Sequence, residues 1–461
     1  MDSQQKKNIV IVGGGIIGCT TAYYLTRHPK FNPALHTITL LEATAIASGA
    51  SGKAGGLLAL WAYPTCLVPL SYRLHRELAA EHNGAERWGY RRVGCGSLSA
   101  TVKSADLKKR ALKPPLPPTD TSGNGHNGNS DNNNGELPIQ STIALEDDKT
   151  QDKAWEKLPK QDTTAANLLH DSPLPRDLDW LDSNLISHYE EMGTPGATTE
   201  TAQVHPFHFT NAIADLARAS GVTIRLRARV TRIFNTANST GDGVHSVAYE
   251  DRDTGAIENI DGVTDVIVAA GPWTGKLVPR TRVEGLRAHS VVFEAEVSPY
   301  AVFTDVQLPA EYVPEHRARE GQKRRHRGNV DPEIYARPFG EVYACGEPDK
   351  TTPLPATADQ VEVDTAQCDD LISYISTISP TLGAAPIKAR QACYLPQHIR
   401  FGEQRGPLIG PTSVPGLWVA AGHTCWGIQN GPATGYLMAG MVFGEEVDEG
   451  VGKLDPRKFK V

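Results

Sequence analysis

The chain has no Cys-x-x-Cys pair, and its seven cysteines are scattered and odd in number. That spacing excludes a structural zinc site and a disulfide framework, and it suits a reducing compartment. No apolar run approaches the ~18–20 residues that cross a bilayer. Residues 1–7 are polar and charged where a secretory leader would have an apolar centre, and the final Lys458-Phe459-Lys460-Val461 is not an address of the Ser-Lys-Leu type. Positive charge is also short. Lys and Arg number 46 against 53 Asp and Glu, a net charge of -7, which excludes a general nucleic-acid binder, since such binding needs clustered cations. What is present is 461 residues, 39% hydrophobic and 21% charged. That reads as a globular chain too long for one core, with two domains and a cytoplasmic location expected.

Residues 8–18 read Asn-Ile-Val-Ile-Val-Gly-Gly-Gly-Ile-Ile-Gly: an apolar strand, a glycine turn and the start of a helix. Gly13, Gly15 and Gly18 permit a tight turn and close approach of backbone to a diphosphate. The amides opening the helix at Ile16 and Ile17 present unpaired N–H groups and partial positive charge to that anion. A second strand, residues 37–41, ends at Glu42 and Ala43, where the carboxylate is placed to accept a hydrogen bond from a ribose hydroxyl.

A helix is expected over 68–81, with Leu70, Leu74 and Leu78 on one face, and a strand over 88–93. From 113 to about 161 the composition shifts to Pro, Gly and Asn with little to bury, so a disordered insertion is expected. A loop and helix follow over 204–220, then strands at 222–226, 229–234 and 244–250. Residues 265–273 and 417–422 read as buried parallel strands ending in glycine. The segments between them, including 291–295 and 341–344, alternate like antiparallel strands. The basic run 323–327 reads as a solvated loop. Helices are expected over 365–378 and at the C-terminal end. Dinucleotide-type segments at both ends and in the middle imply two domains woven together by several crossings.

Four blocks together resemble the D-amino-acid oxidase superfamily of flavoproteins: 13–18 with Glu42; 47–58, Ala-Ser-Gly-Ala-Ser-Gly-Lys-Ala-Gly-Gly-Leu-Leu; 266–273; and 407–410 with 420–435. The second block is similar to the fungal branch of candidate oxidoreductases in that superfamily. The resemblance implies an FAD-binding Rossmann-like domain (1–85, 200–282 and 385–461) interleaved with a mainly antiparallel-sheet substrate domain (86–199 and 283–384), with 113–165 as the insertion. It implies FAD as cofactor, with Ala50, Ser51, Gly55, Gly56 and Leu57 along the diphosphate and ring. Val230 would then lie at the adenine, Ala270 and Gly271 near the ribityl chain, and Gly422, His423, Gly427 and Ile428 across the pyrimidine edge. Lys53 is either a charge partner for the flavin or phosphate, or a solvated loop lysine.

The expected chemistry is oxidation of a C–N bond of an amine or amino-acid derivative by hydride transfer to flavin, with a small-molecule substrate and oxygen as one electron acceptor. The alternatives are a 2-hydroxy acid dehydrogenase and a flavin-binding trafficking or scaffold protein without turnover. His423 is the catalytic candidate, stabilising negative charge at the pyrimidine end, or else a structural histidine. No metal site is expected. Glycine-oxidase-like members carry an arginine where this chain has Leu395, and a second where it has Cys425. Neither residue can replace the two-pronged arginine–carboxylate bond, so Arg337, Arg390 or Arg400 would have to supply that charge. Tyr335, Tyr343 and Tyr394 are candidates for a substrate wall or for core. Cys393, in a Cys-Tyr context similar to that of sarcosine-oxidase-like members, is either a covalent FAD attachment point or a buried inert thiol.

Overall fold

The computed structural model describes residues 5–111, 173–193, 200–236, 243–323 and 328–461. The expected insertion at 113–165 and most of the basic run at 323–327 fall outside these residues.

A six-stranded sheet runs, edge to edge, Leu408–Pro411, Leu417–Ala421, Asp265–Val268, Lys7–Val12, His36–Leu41, Thr223–Arg225. All its pairings are parallel except that of the first strand. Its central strand is apolar on both sides because both faces are covered. Ile9 and Ile11 join the core under the helices Ile16–Arg27, Pro206–Ala219 and Gly427–Val442. Val10 and Val12 face the opposite core, which includes Ala228, Val247 and Tyr249 of a three-stranded antiparallel sheet.

An eight-stranded sheet runs Glu403–Arg405, Ile387–Arg400, Val283–Glu294, Glu341–Cys345, Glu333–Arg337, Tyr300–Gln307, Gly94–Thr101, Ile186–Glu191. It is antiparallel apart from the pairing of Tyr300–Gln307 with Gly94–Thr101. One face is covered by the helix Thr365–Ile378, whose Leu371, Tyr374 and Ile375 pack with Val291, Phe293, Ile334 and Val342. The other face carries Val292, Tyr335 and Tyr343 and packs against Leu57 of the glycine-rich segment. The Rossmann-like half and the antiparallel half therefore meet across that face.

Three local expectations differ from the structure. The strand expected over 88–93 shrinks to Arg91–Arg92. Trp88 instead ends a short helix, Gly84–Trp88, bracketed by left-handed residues Asn83 and Gly89. The segment 265–273 is a strand only to Val268, and Gly271–Trp273 turns away as a 3₁₀ segment. Strand Ile387–Arg400, expected in the cofactor half, pairs with Val283–Glu294 over nearly its whole length. The long edge of Val283–Glu294 needs a hydrogen-bonding partner, and this strand supplies it.

Candidate functional site

The first strand ends at Gly13, whose φ of +114° excludes ordinary side chains; a Cβ there would lie 2.4 Å from the Ala269 carbonyl oxygen. A Cβ on Gly18 would lie 1.9 Å from the Gly13 oxygen. Gly18 thus lets the first helical turn pack on the loop and does not itself reach the cavity. No side chain caps the helix at Gly15, and its first turn carries no acid. The Ile16 amide donates to Ser51 Oγ at 2.9 Å. Glu42 is held beside this end: its carboxylate accepts from the Gly14 amide at 2.7 Å and from the Thr44 amide and hydroxyl at 2.8 and 2.9 Å.

These groups form one end of a cavity of about 660 Å³, where Gly13, Gly15, Ile16, Ile17, Glu42 and Ala43 are all on the wall. Ala50, Ser51, Lys53, Gly55, Gly56 and Leu57 continue along one side. Val230, Ala270 and Gly271 lie along the wall as well. Gly55 and Gly56 are there because nothing larger fits. A Cβ on Gly55 would lie 1.9 Å from the Tyr335 ring, and one on Gly56, at φ +83°, 2.0 Å from the Val204 oxygen. Lys53 does not project into solvent. Its Nζ donates to the Ala392 oxygen at 2.9 Å, and burial lowers its pKa.

The far end is walled by the eight-stranded sheet and by the loop after strand Leu417–Ala421. His423, Gly427, Ile428, Tyr335, Tyr343 and Cys393 line it. His423 is buried, and neither ring nitrogen has a partner. Burial pushes its pKa down to about 3, so the ring is neutral and can donate or accept a hydrogen bond without carrying charge. Burial also raises the Cys393 thiol to about 11, with Lys53 opposing, so the sulfur is protonated near neutral pH.

Besides Gly18, two expected residues miss the wall. Gly422, at φ +88°, turns the chain against His398 and so delivers His423. Tyr394 follows Cys393 on an extended strand and therefore points to the other face, where its hydroxyl donates to the Thr352 and Pro353 oxygens. Leu395 and Cys425 do line the cavity, and no arginine replaces them. Arg400 bonds to the Arg280 and Phe459 oxygens, Arg390 to Asp369, and Arg337 to Glu341. The cations on the wall are Lys53, Arg229 and Lys276. Arg229 is paired with Glu250, and Lys276 with the Leu354 and Pro355 oxygens. Residues missed from the sequence are Glu333, Phe303, Cys345 and Trp426, all on this wall. Alternation within strand Glu333–Arg337 was the one signal that could have paired Glu333 with Tyr335.

The site suits a flavin dinucleotide on three counts: a helix end with no acid in its first turn for an anion, glycines that admit close backbone approach, and a buried imidazole whose nitrogens await a partner. Over residues 8–441 the chain matches the family model described as FAD dependent oxidoreductase. It is 35% identical to TDA3 of Saccharomyces cerevisiae, named as a candidate oxidoreductase, over 99% of this chain and 96% of that protein. A second candidate oxidoreductase, from Schizosaccharomyces pombe, is 29% identical over 98% of each chain. Among solved structures, the glycine oxidase of Geobacillus kaustophilus shares the fold, with a TM-score of 0.60 at 20% identity over 98% of each chain. Matched along nearly its whole length, and holding a cavity shaped for the cofactor, the chain belongs to the family of FAD-dependent oxidoreductases.

Proposed function

We propose that this protein oxidises a C–N bond of an amine or amine derivative, with molecular oxygen as an electron acceptor. Bound FAD supplies the hydride acceptor. The Ile17 amide and the hydroxyl of Ser51, itself held by the Ile16 amide, would take its diphosphate, Glu42 a ribose hydroxyl, and the wall at Val230 the adenine end. Neutral His423 would offer a hydrogen bond to the ring's pyrimidine end, stabilising charge there without a cation of its own. Lys53, close enough to Cys393 to lower its pKa, would bring positive charge to that side of the cavity. The observation that carries the reading is the far end of the cavity itself: an aromatic and aliphatic chamber joined to the glycine turn, with Leu395 and Cys425 where a carboxylate-binding arginine would stand. Such a chamber favours an amine over a 2-hydroxy acid, whose carboxylate would lack that partner.

The test is anaerobic bleaching of the purified, FAD-loaded protein by panels of amines, amino acids and 2-hydroxy acids. Bleaching by amines, with hydrogen peroxide released on admitting air, is expected. Bleaching by 2-hydroxy acids alone, or by nothing, refutes the proposal.

A further inference from the structure

The far chamber contains a carboxylate that the cofactor does not account for. Strand Glu333–Arg337 alternates, so Glu333 and Tyr335 share the cavity face while Ile334 points into the core behind. Pairing sets Cys345 and Phe303 opposite Glu333, on either side of it, and Tyr343 opposite Tyr335. The two tyrosine rings lie parallel, 5.9 Å apart between centroids, and Phe303 meets Tyr335 edge-on at 5.9 Å. Trp61 then meets Phe303 at 6.1 Å and Trp426 at 5.7 Å.

Within this frame Glu333 Oε2 accepts the Tyr335 hydroxyl and, at 3.8 Å, the Cys345 thiol. Among the described residues no cation pairs with Glu333, and no hydrogen bond reaches its Oε1. Burial raises the carboxyl above its ordinary range, with the bonds from Tyr335 and Cys345 opposing. A half-buried carboxylate with a spare oxygen and no counter-charge is costly to keep ionised. Aromatic faces around it attract cations through their quadrupoles. A ligand that brings an N–H-bearing positive group satisfies both the carboxylate and the rings at once. A ligand carboxylate would meet Glu333 at close range with no arginine to offset the repulsion.

We propose that Glu333, framed by Phe303, Tyr335 and Tyr343, is the specificity-determining residue of this chamber, binding the ammonium or amidinium group of an organic cation and rejecting carboxylates. The proposal rests on the amine-oxidation reading and narrows it to substrates without a free carboxylate near the reacting nitrogen.

Benzamidine and benzoate test this directly, being close in shape and opposite in charge, and neither offers an oxidisable C–N centre. Each is titrated into the FAD-loaded protein while the flavin absorbance and fluorescence are followed. Benzamidine is expected to bind at least tenfold tighter than benzoate in the wild type. Glu333→Gln is expected to cut that ratio at least tenfold, and Glu333→Asp to restore part of it. Benzoate binding as tightly as benzamidine overturns the proposal with no variant needed. An unchanged ratio in Glu333→Gln also overturns it. Glu333-dependent benzamidine binding in a protein that no amine bleaches upholds the recognition site and removes the oxidation reading. Amine bleaching with benzamidine binding indifferent to Glu333 removes the recognition site alone.

Discussion

Replacing His423 by a side chain that cannot be protonated should flatten the acid side of the stability profile by a calculable amount. The folded-state pKa of His423 is about 3 against 6.5 for an exposed imidazole, because the ring is buried without a hydrogen-bond partner. Between those two values the unfolded chain binds a proton that the folded chain refuses, so stability is full above pH 6.5 and falls as the solution is acidified. Each pH unit in that window costs about 1.4 kcal/mol for this one group. From pH 7 to pH 5 the loss is therefore about 2 kcal/mol. His75 adds a similar loss: burial lowers its pKa to about 4, although its Nε2 is bonded to the Ile428 oxygen at 3.0 Å. Other histidines contribute as well, so the wild-type slope alone decides nothing; the difference between two proteins does. Urea titrations of FAD-free wild type and His423→Gln at pH 7 and pH 5 give that difference. The variant should lose about 2 kcal/mol less than the wild type over the interval. Parallel profiles would mean that His423 is either solvated or paired in the folded protein, and would refute the reasoning.

Gly55→Ala should destabilise the protein by about 1–3 kcal/mol through overpacking against the Tyr335 ring, and a cycle with Tyr335→Ala should recover much of that in thermal melts; simple additivity would count against the contact. Gly13→Ala combines a forbidden φ with a clash on the Ala269 oxygen, so the flavin-to-protein absorbance ratio of the purified variant should collapse. Arg337→Met breaks a buried cluster in which Glu341 also meets Lys388 at 2.6 Å and His205 at 3.1 Å, at a cost of about 3–5 kcal/mol in urea unfolding. Although burial alone would raise the Glu341 carboxyl, the bond from His205 and the charge of Arg337 hold it well below the ordinary range. Its contribution is present above about pH 4.5 and is lost on further acidification, so that loss should shrink in the variant.

The helices over 68–81 and 365–378 were legible to the residue because each packs one apolar face, which leaves a clear period in the sequence. The glycine turn was legible because strand, turn and helix each left a separate mark. At 88–93 the alternation of Trp88, Tyr90 and Arg92 mimicked a strand, and the left-handed pair Asn83 and Gly89 that closes a short helix there went unread. Whether Tyr394 belonged to the substrate wall or to the core stayed open because a strand's facing depends on pairing register, set here by a partner more than a hundred residues away in the sequence. Glu333 was invisible for a related reason. One acid in an alternating strand reads as a solvent face, and only the arrival of Phe303 and Tyr343 from neighbouring strands encloses it.

Thr20, one turn into the helix that follows the glycine loop, donates its hydroxyl to the Gly431 oxygen at 2.8 Å across a separation of 411 residues. Gly435 comes so close to the same helix that a Cβ would lie 2.5 Å from the Thr20 carbonyl carbon. During synthesis at ~5–20 residues per second, the nucleotide-facing turn leaves the ribosome roughly 20–80 s before the segment that braces it. Coenzyme capture is thereby tied to the final stage of chain maturation, and a yellow colour in newly made protein would report that both ends of the polypeptide have docked.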